Sequence, residues 1–380
     1  MLDDSLLDAP DALARADHRG LLRGAAEAGA RVRTAVLHAD EAGIGALNPE
    51  GRPRAVLVAG PGTAAAGVAD LVGALAGAAA PVTRIRPSGV APAGGALRWA
   101  LPGWAGPVDL LLLVTPDGSE PGLAQLAEQA YRRGCTVVAV APTRSPLREA
   151  VGGAHGLLVP MAAPPHGETA EPPSTAPGTF WALLTPLLAL LDRVGLLEAS
   201  GADLQKVADR LDRTAERCGP AVATYSNPAK TLAAELAGSL PLVWSEGEGA
   251  GPVGRRFAAV LAELSGRAAL AAPLPEALTG HGALLAGRLA ADTGADDFFR
   301  DRVDEPEPLR ARVVLLRDRP AGGLSAYPAA RELALAHDTP LSELAPEEGS
   351  STLEAVAELL ALTDFTAVYL ALAATADSDD

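Results

Sequence analysis

Short apolar runs alternate with stretches of helical periodicity in the first half of the chain. The runs are RAVLVAG from Arg54, VDLLLLV at 108–114, CTVVAVA at 135–141 and GLLVPM at 156–161. Helical patterns at 63–76 and 121–133 separate them. Runs that are apolar at every position are typical of parallel strands covered by helices on both faces. This half therefore predicts an α/β domain with a parallel sheet.

The second half repeats this order of elements. Its strands are PLVWS, AALAAP, ARVVLLRD and a short one around 342–345, and its helices cover 229–236, 253–264, 283–291, 326–336 and 352–374. Two such units predict an α/β fold with two doubly wound domains and an internal pseudo-repeat. Because open sheets of this kind bind ligands at the carboxyl ends of their strands, we expect a ligand between the two units.

The pattern divides the chain into four segments. These are N-terminal helices at 1–45, a first α/β domain at 46–160, a Pro-rich linker with a bridging helix at 161–202, and a second domain with the final helix at 203–380. The inward face of the N-terminal helices is predicted to carry Leu13, Leu21, Leu22 and Ala25. Prolines and small polar residues at 161–179 indicate the linker, and the acidic segment 292–308 indicates a surface loop.

Charge excludes several classes of partner. The formal net charge is −16, whereas nucleic acids and anionic membrane surfaces attract basic proteins. The first nine residues contain three aspartates and no basic residue, unlike a signal peptide. No apolar run approaches the roughly 18–20 residues of a membrane span. We expect a cytoplasmic protein that binds neither nucleic acid nor membrane.

The cysteines and histidines predict no metal site. Cys135 and Cys218 lie far apart in the sequence, and the histidines have no carboxylate or cysteine at metal-ligand spacing. We therefore expect no disulfide, no metal and no cofactor, and we interpret Cys135 as a small core residue.

The turn after the strand at 108–114 has the form of an anion site with unusual chemistry. It reads TPDGSEP and leads into a helix, and small-residue turns at helix N-termini bind anions. Here, however, Asp117 and Glu120 lie where a phosphate would bind. A carboxylate within about 4 Å of a phosphate dianion costs several kcal/mol at an effective dielectric constant near 20.

Five segments together resemble the two-domain sugar isomerase (SIS) proteins of the bifunctional glucose-6-phosphate and mannose-6-phosphate isomerase type. They are VAGPGTAAAGVADL from residue 58, VTPDGSEPGLAQLAEQAYRRGCTVVAVAP from residue 114, NPAK at 227–230, PLPEALTGH at 273–281 and the closing segment 366–372. The resemblance implies a homodimer that binds a sugar phosphate through hydroxyls and backbone amides. It also implies aldose–ketose isomerisation through an enediol, with a carboxylate base and a ring-opening histidine.

Carried onto this chain, the resemblance assigns both binding and catalytic residues. The candidate ligand-binding residues are Gly60, Gly62, Thr63, Thr115, Gly118 and Ser119. The candidate catalytic residues are His281, which matches the family's histidine, and Glu276, which precedes it. Alternatively, His281 is structural and Glu276 only complements a helix dipole.

Other catalytic positions of the family have no equivalent. The expected position of the carboxylate base falls near Leu264 and Ser265, two positions from Glu263. No arginine lies at 178–186, and no lysine follows Lys230. The resemblance therefore implies an impaired active site. Arg255 and Arg256 could bind an anion at a helix N-terminus or lie on a solvated helix face.

Three functions remain open. The first is a SIS-type protein that binds a sugar or sugar derivative without chemistry. The second is an active phosphosugar isomerase with relocated groups, Glu276 as base and His281 as acid. The third is a dimeric scaffold for an enzyme of sugar-nucleotide or mannose metabolism. The acidic loop favours the first and third, and family resemblance alone favours the second.

Overall fold

A computed structural model describes residues 4–49, 51–90, 94–161, 176–287, 310–319 and 324–376. The chain forms two compact units. The N-terminal unit is Arg19–Glu216, and the C-terminal unit combines Met1–His18 with Arg217–Asp380. The predicted division into four segments stays a prediction.

Helices and strands follow the predicted alternation. The helices are α1 (Asp4–Leu7), α2 (Pro10–Ala16), α3 (Leu21–Ala26), α4 (Ala28–Glu41), α5 (Gly62–Ala76), α6 (Pro121–Arg132), α7 (Leu147–Gly153), α8 (Pro177–Arg193), α9 (Gly201–Cys218), α10 (Pro228–Leu236), α11 (Ala250–Ser265), α12 (Glu276–Ala286), α13 (Tyr327–Ala336) and α14 (Thr352–Ala376). The strands are β1 (Ala55–Ala59), β2 (Val82–Ile85), β3 (Asp109–Val114), β4 (Thr136–Ala141), β5 (Leu157–Pro160), β6 (Ser239–Glu246), β7 (Leu270–Pro273), β8 (Arg310–Arg317) and β9 (Leu341–Leu344).

The N-terminal unit is built on a five-stranded parallel sheet in the order β2-β1-β3-β4-β5. Every residue of β1 and β3 is buried, which explains their unbroken apolar runs. Strand β2 was not predicted, because its sequence VTRI places Thr83 and Arg84 at half-buried positions. The predicted inward residues of the N-terminal helices, Leu13, Leu21, Leu22 and Ala25, are all buried.

The C-terminal unit has a four-stranded parallel sheet in the order β7-β6-β8-β9. Two parallel sheets covered by helices confirm the predicted fold class. Helix α14 packs against α10 and α11. Contrary to the sequence prediction, its segment Thr352–Ala374 is apolar and long enough to span a membrane, but the apolar window is 100% buried within the protein, as in a core helix.

Some predictions need correction. Helix α12 starts at Glu276, not near residue 283, and α8 already begins at Pro177, inside the predicted linker. Arg256 is not on a solvated face, because it is buried in an ion pair with Asp364 of α14. The linker at 162–175 and the acidic segment 292–308 lie outside the described residues.

Both cysteines are free and buried. Burial raises the pKa of the Cys135 thiol and raises that of Cys218 to about 11. A thiol with a raised pKa is a poor nucleophile at neutral pH, so both side chains act as small core residues.

Candidate functional site

The predicted ligand-binding residues lie at the switch point of the N-terminal sheet. The chain continues from β1 to β2 on one side and from β3 to β4 on the other. Ligands of open parallel sheets bind outside the carboxyl ends of the strands at such a point. Two turns meet there, the β1 loop (residues 60–63) and the β3 loop (residues 115–120). Together they contain Gly60, Gly62, Thr63, Thr115, Gly118 and Ser119.

The β1 loop brings the ends of β1 and β3 close together. A Cβ atom on Gly60 would lie 2.0 Å from the carbonyl oxygen of Val114, so only glycine fits there. Gly62 has a positive φ of 71° and begins α5. Thr63 is half-buried in the first turn of this helix.

Thr115 organises the β3 loop from a fully buried position. Its Oγ1 accepts hydrogen bonds from the backbone N–H of Gly118 at 2.8 Å and of Asp117 at 3.2 Å. The same hydroxyl donates to Glu120 Oε2 at 3.0 Å. Its one proton and both lone pairs are therefore engaged within the loop.

Both acidic residues of the β3 loop bind its hydroxyl groups. The hydroxyl of Ser119 donates to the carboxylate of Asp117, and both residues are exposed. Glu120 is only 7% exposed, and burial raises its pKa, although the hydrogen bond from Thr115 opposes this shift. The two hydroxyls predicted to hold a phosphate thus contact carboxylates of the loop itself.

The C-terminal sheet has an equivalent switch point between β6 and β8. The loop after β6 leads into α11, and Asp318 follows β8 directly. Asp318 Oδ2 accepts hydrogen bonds from the backbone N–H of Gly249 at 2.6 Å and of Ala250 at 3.1 Å. Sequence analysis missed this residue. The Gly-Glu-Gly turn after one strand, together with an aspartate at the end of another, could have indicated it.

His281 and Glu276 lie on different faces of α12. His281 is buried, and its Nδ1 accepts a hydrogen bond of 2.8 Å from Trp244 Nε1. Burial also lowers the pKa of its imidazole. Glu276 is exposed in the first turn. Five residues along an α-helix correspond to a rotation of roughly 140°, so the structure does not bring this candidate acid and base together.

Known proteins share this architecture. Residues 225–380 match the model of the bacterial phospho-glucose isomerase C-terminal SIS domain. The predicted resemblance to the two-domain SIS proteins is confirmed. No curated protein matches the chain in sequence.

Solved structures with the same fold cover nearly the whole chain. A proposed phosphosugar isomerase from Silicibacter pomeroyi has 18% identity and a TM-score of 0.56, and the match covers 99% of this chain and 98% of that one. A proposed phosphosugar isomerase from Clostridium difficile has 10% identity, a TM-score of 0.61 and coverages of 94% and 93%. The C-terminal domain of glucosamine-fructose-6-phosphate aminotransferase from Francisella tularensis has 11% identity, a TM-score of 0.59 and coverages of 94% and 97%. At these identities the likeness shows the fold alone.

The NPAK segment at the start of the matched SIS region is engaged in structural contacts. Asn227 caps α10, and its Oδ1 accepts hydrogen bonds from the backbone N–H of Ala229 and Lys230, both at 3.1 Å. Lys230 Nζ donates to the carbonyl oxygens of Pro220 and Val222, both at 2.8 Å. Burial lowers the pKa of this amine. These contacts anchor the start of α10.

The expected position of the SIS carboxylate base carries no acid. Leu264 is buried, and the hydroxyl of Ser265 donates to the carbonyl oxygen of Leu261 at 2.7 Å. The neighbouring Glu263 is exposed near the end of α11. Among the described residues, no group of three or more His, Cys, Asp or Glu side chains could hold a metal ion.

Proposed function

We propose that this SIS protein binds a carbohydrate derivative and does not isomerise it. One observation carries the proposal: the hydroxyls of Thr115 and Ser119 donate to Glu120 and Asp117 of the same loop. In the family, the resemblance implies that such hydroxyls hold the phosphate. In this chain the hydroxyls instead bind the acidic side chains of Glu120 and Asp117, which would repel a phosphate dianion.

The same loop suits a ligand with hydrogen-bond donors. Carboxylates accept several hydrogen bonds each, and the exposed Asp117 is available to the hydroxyl or amine groups of a sugar. A neutral or amino sugar would gain these bonds without charge repulsion. We therefore propose a ligand that is less anionic than a hexose phosphate.

The arrangement of His281 and Glu276 supports the absence of isomerase chemistry. An isomerase with relocated groups would need Glu276 as base and His281 as acid within hydrogen-bonding reach of one substrate. The two side chains lie on different faces of α12, and Nδ1 of the imidazole accepts from Trp244. The lowered pKa keeps this histidine neutral at pH 7, so it would be a weak source of protons.

We also propose that the protein is a cytoplasmic homodimer. The family resemblance supports the dimer, and the net charge of −16 supports an environment away from anionic membrane surfaces. Sedimentation equilibrium of the purified chain tests the dimer, and a single species with the mass of one chain would contradict it.

The proposed function is tested by measuring binding and turnover on the same samples. Thermal-shift titrations would use glucose, mannose, glucosamine and the 6-phosphates of glucose, fructose and mannose, and NMR would follow isomerisation. We expect saturable stabilisation by a non-phosphorylated sugar, because a ligand of the native state raises its stability. Asp117→Asn should weaken this shift, and the exposed Glu128→Gln on α6 is the matched control.

Two outcomes would contradict the proposal. Turnover of a hexose phosphate that is lost in His281→Ala and in Glu276→Gln would favour the isomerase with relocated groups. No shift with any sugar of the panel would favour the dimeric scaffold.

A further inference from the structure

We propose that protonation of His281 releases α12 from the C-terminal sheet, so that this helix is a pH-sensitive cover of the sheet. The contact that responds to pH is the hydrogen bond between the side chains of Trp244 on β6 and His281 on α12. It lies in the C-terminal unit and is independent of the proposed function, which rests on the β3 loop.

The hydrogen bond between the two rings requires one protonation state of the histidine. An indole N–H can only donate, so Nδ1 of His281 carries a lone pair when it accepts from Trp244 Nε1 at 2.8 Å. The proton of the neutral imidazole then lies on Nε2. Protonation of the ring would place a second N–H at Nδ1, facing the N–H of Trp244. The hydrogen bond is therefore lost when the ring becomes an imidazolium.

Burial makes this loss unfavourable as long as α12 stays on the sheet. Trp244 is fully buried, and His281 is only 9% exposed. Ala277 and Leu285, one turn before and after His281 on α12, belong to the same apolar cluster as Trp244. A protonated ring in this place would be a buried charge beside an indole N–H without an acceptor. Movement of α12 away from β6 hydrates both groups and removes both costs.

Helix α12 depends on such contacts for its stability. It has 11 residues, and the buried ones are Ala277, His281, Gly282 and Leu285. Gly280 and Gly282 flank the histidine, and glycine disfavours a helix. A Cβ atom at Gly280 would meet no described residue within 4 Å, so packing does not require glycine there. A short helix that is held by tertiary contacts can open locally while the rest of the unit stays folded.

The charged and titratable side chains of the neighbouring elements are less buried than His281. They are half-buried or exposed, namely Glu276 on α12, Glu246 on β6, and Tyr327, Arg331, Glu332 and His337 on α13. The sequence of β7, LAAP, contains no titratable side chain. Glu246 accepts hydrogen bonds at the start of α13, and the hydroxyl of Tyr327 donates to Glu343. Burial lowers the pKa of the His281 imidazole among these groups.

The lowered pKa determines the direction of the pH effect. Because the pKa of His281 in the closed helix lies below the ordinary value of a histidine, the open helix binds more protons than the closed one. The stabilising contribution of the contact is complete above about pH 6.5 and is lost as pH falls toward the folded-state pKa. Uptake of one proton increases the population of the open helix by at most about tenfold per pH unit.

Hydrogen exchange of the full chain between pH 7.5 and pH 5 tests the proposal. We expect the protection factors of the α12 amides to fall by up to about tenfold per pH unit below pH 6.5, whereas those of β6 and α14 stay constant. His281→Asn keeps an oxygen acceptor near the position of Nδ1 and does not titrate in this range, so its α12 protection should not depend on pH. His18→Asn, which replaces an exposed histidine of the same unit, should behave as the wild type.

Two NMR measurements decide the proposal even if His281→Asn does not fold. In the wild type, the indole N–H of Trp244 and the ring of His281 should change with the same midpoint as the α12 protection factors. Trp244→Phe should raise the pKa of His281, because the indole N–H stabilises the neutral ring; an unchanged pKa overturns the proposal.

Three further results would overturn it. The first is a fall of α12 protection with pH that is equal in the wild type and in His281→Asn. The second is titration of His281 without any change at α12. The third is an equal loss of protection in α12, β6 and α14, which would indicate global unfolding.

Discussion

The two switch points of this protein each contain an acidic side chain of the chain itself, but they use it differently. In the C-terminal unit, Asp318 binds the amides of the helix N-terminus directly. In the N-terminal unit, the hydroxyl of Thr115 accepts hydrogen bonds from the loop amides and donates one to Glu120. In both units, backbone N–H groups of the turn at the switch point therefore already donate to a side chain of the protein.

The two turns differ in the sequence distance between the carboxylate and the group that it binds. Glu120 is five residues from Thr115 and belongs to the same loop. Asp318 is 69 residues from Gly249 and arrives from the neighbouring strand. The contact of Glu120 depends on the conformation of one turn, whereas the contact of Asp318 depends on the register of the sheet. We expect the distant carboxylate to contribute more to stability, because it joins two elements that are far apart in the sequence.

The largest effect should follow removal of that carboxylate. Asp318→Ala leaves two buried amides without their charged acceptor, so the free energy of unfolding should fall by about 2–4 kcal/mol. Urea unfolding measures this. Asp11→Ala, which removes an exposed aspartate from the first turn of α2 in the same unit, should change it by less than about 0.5 kcal/mol. An equal effect of the two substitutions would contradict the expectation that the carboxylate of Asp318 stabilises the C-terminal unit.

A smaller loss is expected for the hydroxyl of the β3 loop. Thr115→Val keeps the side-chain shape but leaves the amides of Asp117 and Gly118 without an acceptor, at a cost of about 1–3 kcal/mol. Thr115→Ser retains the hydroxyl and should lose well under half as much. Equal losses in the two variants would mean that the methyl packing, and not the hydroxyl, matters.

The raised pKa of Glu120 should make the stability of the protein depend on pH. Burial raises the pKa of its carboxyl group above the ordinary value of a glutamate, so ionisation favours the unfolded chain. Its stabilising contribution is complete below about pH 4.5 and is lost as pH rises through the folded-state pKa. Glu120→Gln should therefore gain stability relative to the wild type across this window, as measured by urea unfolding from pH 4 to pH 8. A difference that does not change with pH would contradict this reading.

The smallest effect is expected at the rim of the loop. Ser119 is exposed and its hydroxyl contacts only the exposed Asp117 in the β3 loop. Ser119→Ala should change the free energy of unfolding by less than about 0.5 kcal/mol. A loss comparable to that of Thr115→Val would show that the rim supports the loop.

Much of the fold could be predicted from local sequence. Strands β1, β3 and β4 are buried along nearly their whole length and therefore appear as unbroken apolar runs. Strand β2 could not be found in this way, because its side chains are mostly half-buried. The acidic chemistry of the β3 loop was also visible, since both carboxylates and the hydroxyls that they bind lie within six residues.

The remaining site features depend on contacts between distant residues. His281 is paired with Trp244, 37 positions away, and nothing in the local pattern indicates that partner. The placement of Asp318 depends on the register between β6 and β8. Likewise, Arg256 resembles a surface residue in sequence, and only the path of α14 supplies Asp364.

We propose above all that the acidic side chains of the β3 loop exclude phosphate from the N-terminal unit. Calorimetric titration of glucose 6-phosphate and inorganic phosphate into the wild type and into the double variant Asp117→Asn/Glu120→Gln tests it most directly. We expect no saturable binding of either compound to the wild type and measurable binding of both to the variant. Saturable binding of glucose 6-phosphate to the wild type, competed by inorganic phosphate and unchanged in the variant, would contradict it.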